Sequence, residues 1–366
     1  MLKTIKYLLF AMVIMFSAAA FAHHSVSPHF DLSKEIILEN AEVIEWKFVN
    51  PHSYVFFKVT DQQGDSQEWR CEISAATSLR RSGWSADTIR PGQIVTIKGA
   101  PGRREANLCS LMSIKFADGT VLQRVRGQGV TKISNTTKAK EPTSDKQDRP
   151  LRLENGQPNI SGNWISLSFG RNAKGGSPSP RNQGAPTWGG YTLTPTGLAA
   201  AENYDFRFDD PTLSCHLINI IYGWNKDTNV NQITQTDDTV TLQYGFVDFV
   251  RTIYLNKDSH PEDLSPSVGG HSIGKWEDDV LVVETIGFEP GVLLTKGGVH
   301  HGSELRIIER FQFDTESNEL VRHYSMTDPE YFVGTNEGVD YMAISETPYT
   351  PYNCLNLSGK NNQRPN

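Results

Sequence analysis

The feature that most constrains this chain is a period of two. Short runs in which apolar and polar residues alternate recur along most of it, and that period marks strands with one face buried. In the amino-terminal part the runs are 36–46, 53–59, 68–73, 93–99 and 108–116. The stretches Asp61-Gln62-Gln63-Gly64-Asp65, Arg90-Pro91-Gly92 and Asp118-Gly119 between or after them carry turn chemistry. One segment, 74–82, reads as a helix and is followed by Gly83-Trp84. Five strands and one short helix predict a small OB-like barrel.

The carboxy-terminal part opens with Ile160-Ser161-Gly162-Asn163-Trp164, where a Gly-x-Trp precedes a strand. A Gly/Ser/Pro-rich insertion at 170–190 and a short helix at 194–202 follow. Further runs at 231–236, 239–244, 247–255, 271–277, 280–286, 304–314, 319–327 and 342–346 read as a meander. Tight turns at Thr236-Asp237-Asp238 and Glu277-Asp278-Asp279 join neighbours as hairpins require. Eight or so strands in up-and-down order predict a larger, lipocalin-like antiparallel β-barrel with room for a small ligand. The class is thus mainly all-β. The polar, Pro- and Lys-containing stretch 136–158 cannot supply a core and reads as a linker. The expected layout is a signal peptide at 1–22, an OB-like domain at 23–130, a flexible linker at 131–158 and a lipocalin-like domain at 159–366.

Lys3 and Lys6 precede an apolar stretch at 7–16 and the triplet Ala20-Phe21-Ala22, the plan of a secretory signal peptide cut after Ala22. The apolar stretch is short for a membrane anchor, and no second long one follows. A periplasmic or secreted protein without a membrane span after processing is expected. The formal charge of −7 becomes two units more negative once Lys3 and Lys6 are removed, which disfavours nucleic acid as a partner. Four cysteines in an oxidising compartment predict disulfides. Their spacing matches no C-x-x-C motif. Domain locality favours Cys71 with Cys109 and Cys215 with Cys354, although four cysteines permit three connectivities.

His23-His24-Ser25, Phe30-Asp31, Val43-x-x-Trp46, Asn50-Pro51-His52, Leu79-Arg80-Arg81-x-Gly83-Trp84 and Pro91-Gly92 together resemble the DUF6152 family of exported bacterial proteins. That resemblance implies export and a β-barrel, and it brings no established activity. The later part is similar to uncharacterised exported lipocalin-like proteins. The similarity lies in Asp210-Pro211 with Cys215, Arg251-x-Ile253-Tyr254-Leu255, Gly270-His271-Ser272-Ile273-Gly274-x-Trp276-Glu277, Leu281-Val282-Val283-Glu284-Thr285-x-Gly287-Phe288, Ser303-Glu304-x-Arg306-x-x-Glu309-Arg310 and Thr327-Asp328-Pro329. It implies a fold and a ligand-sized cavity, with no catalytic residue carried over.

Two constellations could carry chemistry. Cleavage after Ala22 gives His23 a free α-amine beside its imidazole, and His24, His29 or His52 could complete a nitrogen-rich set of the kind Cu(II) prefers. Copper is the one cofactor expected, against the plainer reading of a solvated terminus. In the larger barrel, alternation places Glu309 with Leu305, Ile307, Phe311 and Phe313, Arg251 with Ile253 and Leu255, and Glu284 with Val280, Val282 and Ile286. Charges on an apolar face must pair or bind something. They form a structural pair, Arg251 with Glu309 or Glu284, or they join His271, His300 and His301 around a cavity in which a carboxyl acts as acid or base. Trp224 and Tyr244 are candidate ligand contacts, and aromatics such as Trp188, Tyr191 and Tyr222 could line a mouth or simply pack. No H-E-x-x-H, G-x-S-x-G, Walker or dinucleotide motif is present. The leading expectation is a periplasmic binding protein for a small, partly apolar ligand with a possible copper site. The alternatives are an exported isomerase, hydratase or hydrolase using Arg251, His271, Glu284 and Glu309, and an envelope scaffold.

Overall fold

The computed structural model describes residues 29–61, 63–80, 82–124, 131–133, 150–167, 191–226, 229–295 and 297–357. The predicted signal peptide with His23 and His24, and the insertion at 170–190, lie outside the described residues.

The first barrel runs β1 (Ile36–Lys47), β2 (Ser53–Thr60), β3 (Ser66–Ile73), α1 (Ala76–Arg80), β4 (Ile94–Pro101) and β5 (Leu108–Phe116). Its hydrogen-bonded order is β3-β2-β1-β4-β5, closed by a parallel pairing of β3 with β5. This is the closed five-stranded OB plan, with the helix between β3 and β4. β1 can pair with both β2 and β4 because irregularities at 38–41 and 43–45 re-aim it midway. Inward residues such as Val43, Phe57, Ile97 and Ile114 meet Leu79 of α1 and Trp84 in one core. Cys71 and Cys109 face each other across the closing pair and are disulfide-bonded. β6 (Val121–Arg124) and β7 (Thr131–Ile133) extend the sheet beyond β5.

Both ends of the expected linker therefore have structure. Its start is β7, and at its end Arg152 forms an ion pair with Asp279, 2.8 Å away, while Asn159 donates to the carbonyl of Pro150. Residues 134–149 are not among those described.

The second barrel has nine strands. They are β8 (Gly162–Ser166), β9 (Val230–Gln235), β10 (Thr239–Gln243), β11 (Val250–Tyr254), β12 (His271–Glu277) and β13 (Val280–Ile286), then β16 (Arg306–Asp314), β17 (Glu319–Thr327) and β18 (Thr335–Ile344). Between β13 and β16 a separate hairpin, β14 (Gly291–Leu294) with β15 (Val299–His301), stands outside the ring. Between β8 and β9 come α2 (Pro195–Asn203), α3 (Phe206–Asp209), a 3-10 turn at Pro211–Ser214 and α4 (Ile220–Trp224).

Nine strands cannot alternate direction all the way round a closed ring, so at least one neighbouring pair must be parallel. That pair is β11 with β12, joined through only two residue pairs, Ile253 with Ser272 and Tyr254 with Ile273. A parallel neighbour needs a long crossover, and residues 255–270 provide it.

The all-β class and the succession of a small and a larger barrel are as expected. The strand expected at Gly162-x-Trp164 is β8, and the last expected run, 342–346, overlaps only the end of a longer β18 that runs from 335 to 344. Cys215 is bonded to Cys354, tying the helical insertion to the tail that follows β18.

The larger barrel is packed through its centre. Trp164, Trp224, Tyr244, Ile253, Phe311 and Met342 belong to one buried cluster. Phe311→Ala should lower stability by about 3–5 kcal/mol through lost transfer energy and the cavity left behind. The measurement is a denaturant titration, expected to show a lower midpoint at unchanged slope.

Candidate functional site

Inside the larger barrel, strand parity delivers four charged side chains to one place. β16 turns Ile307, Glu309 and Phe311 inward, β17 turns Leu320, Arg322 and Met326 inward, β18 adds Asp340 and Met342, and β11 adds Arg251. Glu309 is clamped between two guanidinium groups: Oε2 takes Nη2 of Arg251, and Oε1 takes Nη1 of Arg322 at 3.1 Å. Arg322 in turn holds both oxygens of Asp340 through Nε, each at 3.2 Å. Arg251 is fixed by Ser272 at 2.9 Å and Thr285 at 2.7 Å.

Helix α4 completes the arrangement. Asn219 caps it by accepting from the amides of Ile221 and Tyr222. Its five residues cannot satisfy all their own carbonyls, and Ile221 O accepts from Arg322 Nη2 at 3.1 Å.

Burial alone would push the Glu309 carboxyl up, but Arg251 and Arg322 outweigh it and hold it below the usual carboxylate range. Burial drives Asp340 the other way, upward, against the pull of Arg322. Glu309 is thus an internal strut, tied to two cations and shut away from water. A general acid or base needs a proton to exchange near working pH, and this carboxyl is held away from that range.

The pairing of Arg251 with Glu309 is present as expected, whereas Glu284 requires a correction. On β13 the buried residues are Leu281, Val283 and Thr285, so Val280, Val282, Glu284 and Ile286 share the outer face. Both faces of this strand are apolar, so the period alone did not tell inside from outside. Glu284 pairs outside with Arg306 and lies 4.0 Å from Nε2 of His260.

His271 is outside as well. It stacks on Tyr254 at 5.2 Å, and its Nδ1 lies 2.8 Å from Nδ1 of His260. One ring must donate and the other accept. Burial lowers the pKa of both imidazoles, and in His271 the neighbouring His260 adds to the effect. The contact pins the crossover 255–270 to the barrel wall.

The remaining candidates are dispersed. His301 is buried on β15, its Nδ1 3.0 Å from Gly302 O, and His300 packs edge-on against Tyr204. Trp224 and Tyr244 line no mouth: both are fully buried and pack edge-on at 5.3 Å, and the Tyr244 hydroxyl donates to Ile220 O. Two shallow, half-open hollows are found among the described residues. One of about 320 Å³ lies over β16, β17 and β18, and one of about 250 Å³ lies at the β11–β12 seam beside Phe249, Tyr254 and His271.

Arg322 and Asp340 were missed by sequence reasoning, although the signal existed. Arg322 has the parity of Leu320 and Met326, and Asp340 that of Met342.

A second cluster sits on the first barrel. His52, just before β2, places Nδ1 2.9 Å from Oε1 of Glu72 on β3, and Tyr54 donates its hydroxyl to Oε2 at 3.1 Å. Tyr54 and Glu72 are direct ladder partners. His29 is buried nearby and acts electrostatically on the same carboxylate. Burial would raise the Glu72 carboxyl, yet His52, Tyr54 and His29 bring it below its ordinary value. His29 also meets the edge of the Phe208 ring of α3, with centroids 6.1 Å apart, so the cluster lies where the two barrels touch.

Sequence reasoning named His29 and His52 and missed Glu72. Glu72 lies on the strand face opposite Cys71, a face that alternation alone assigns to solvent, yet it is buried against His52 and Tyr54. Among the described residues no three His, Cys, Asp or Glu side chains already form a metal cage.

Fold and sites together define a two-barrel β protein: an OB-type barrel followed by a nine-stranded barrel with an ionic core. The model of a family of unknown function, DUF6152, matches residues 11–109. No curated protein matches the chain. A crystal structure of a variant of the fluorescent protein UnaG is similar at 16% identity and a TM-score of 0.21, covering 38% of this chain and 89% of that one. No helix among the described residues is long and apolar enough to cross a membrane.

The ionic core fixes an acid limit on stability. Because Glu309 titrates lower in the folded protein than in the unfolded chain, its contribution is complete above the ordinary carboxylate pKa and is lost as pH falls below it. Glu309→Gln leaves two buried arginines facing one aspartate and should cost about 3–5 kcal/mol. Equilibrium denaturation at neutral pH checks the loss, and repeating it in acid should find the gap between variant and parent narrowing.

Proposed function

We propose that this is an exported, non-catalytic binding protein that takes a transition-metal ion, copper(II) by its donor set, at the first barrel. The donors would be His29 and His52, with Glu72 as an oxygen ligand and the terminal His23 and His24 supplying the remaining nitrogens. One observation carries the reading. His52, one of the histidines crowded near the amino terminus, lies 2.9 Å from the buried Glu72 carboxylate, and the buried His29 acts on that carboxylate electrostatically. Imidazole with carboxylate is a donor set that suits copper, and a basic α-amine on a processed His23 would strengthen it.

The copper reading predicts one ion per processed chain, measured by elemental analysis on protein whose amino terminus is confirmed by intact mass. His52→Ala and Glu72→Gln should each weaken copper binding by about 10-fold or more, the scale of losing one ligand or its support. Processed protein without stoichiometric metal that also refuses added copper would sink the reading.

A small, partly apolar ligand is the second reading, and the groove at the β11–β12 seam favours it. Phe249, Val250 and Tyr254 give that groove apolar surface, and Thr252, Ser267, His271 and Ser272 give it at least as much polar surface. At about 250 Å³ and half open, it is smaller than an ordinary small-molecule site. Acid or base catalysis by Glu309 gains no support, since that carboxylate is fully engaged by Arg251 and Arg322. An envelope scaffold is the outcome that remains if neither metal nor small molecule binds.

A further inference from the structure

We infer that the carboxy-terminal tail is a clasp from the second barrel onto the first, and that the Cys215–Cys354 disulfide is its redox-released pin. The tail leaves β18 and is first secured to its own barrel. Asp248, at the β10–β11 turn, accepts from the amides of Tyr352 at 2.7 Å and Asn353 at 3.1 Å, and Tyr352 packs edge-on against Phe246. Cys354 follows, bonded to Cys215.

From there the chain crosses to the first barrel. Asn50 donates its side-chain amide to Tyr352 O, and its own carbonyl accepts from the amide of Leu355 at 2.6 Å. Arg70 donates to Leu357 O at 2.8 Å while its other arm holds Glu105. Asn50 therefore grips the tail on both sides of Cys354, and the disulfide fixes the point between the two grips. Asn50 is buried under this contact, two residues from His52.

The two disulfides differ in access. Cys71 and Cys109 are fully buried, whereas Cys215 and Cys354 are only half-buried. Exchange requires a thiolate to reach a sulfur, so a dithiol attacks the clasp and spares the first barrel's bond. The dithiol is oxidised to a cyclic disulfide, and its two electrons and two protons pass to Sγ of Cys215 and Cys354 as free thiols. Residues 354–357 then lose their covalent tether, and the grip at Asn50 and Arg70 rests on hydrogen bonds alone.

None of these contacts uses a metal donor, so the inference stands whether or not the first barrel binds copper. Mild treatment of the native protein with dithiothreitol, followed by alkylation and peptide mass analysis, should label Cys215 and Cys354 more than about tenfold sooner than Cys71 and Cys109. Amide exchange in 49–53 and 352–357 should then accelerate in the reduced protein and in the double variant Cys215→Ser/Cys354→Ser. Near-ultraviolet circular dichroism establishes that both barrels remain folded, and reoxidation should restore protection in the parent protein. Equal labelling of the two pairs, or unchanged exchange in both segments once the bond is gone from a folded protein, would overturn the clasp.

Discussion

A single carboxylate between two guanidinium groups governs the second barrel. Glu309 can sit at the centre of a closed barrel only because Arg251 and Arg322 meet both of its oxygens, and each arginine is tied to further partners. An isolated charge there would cost several kcal/mol. The network also fixes neighbours that hydrophobic packing alone would leave loose. Arg322 reaches a carbonyl of α4, so the helix is oriented inside the ring, and Arg251 links β11 to Ser272 of β12 and Thr285 of β13. Ion pairs demand particular positions where apolar contacts tolerate several.

That demand falls where the barrel is otherwise weakest. The odd strand number forces a parallel seam, and β11 and β12 share only two residue pairs there. The seam is bridged from inside by Arg251 to Ser272 and from outside by the crossover, whose His260 contacts His271. Side chains thus supply part of the closure that ladder hydrogen bonds do not. The same gap leaves the seam groove beside Tyr254 and His271.

Much of the fold was legible because a period of two, broken by turn residues, is a local signal. The five strands of the first barrel and most strands of the second could be placed from it, as could the inward position of Glu309 and Arg251. Parity failed at Glu284 for a physical reason: β13 is flanked by strands and covered outside by the crossover, so both of its faces are apolar. Glu72 was invisible for a related reason, since its strand face is buried only when distant segments cover it. Trp224 and Tyr244 looked like ligand contacts because aromatic character does not reveal whether a helix fills the barrel. Each failure concerns what lies against a face, which is tertiary information that no local pattern holds.

The junction between the barrels is where these constraints meet. His29 lies against Phe208 of the helical insertion, and Arg104 stacks over the same ring at 4.5 Å. Asn50, two residues before His52, is gripped by the tail. The insertion and the tail of the second barrel both reach across, and Cys215 and Cys354 join them to each other. Both segments therefore border the loop that carries Asn50 and His52. The half-buried Cys215–Cys354 bond is the covalent link between those two segments. The buried His52–Glu72 cluster of the first barrel and the architecture of the second thus meet through residues that lie outside the named strands of either barrel.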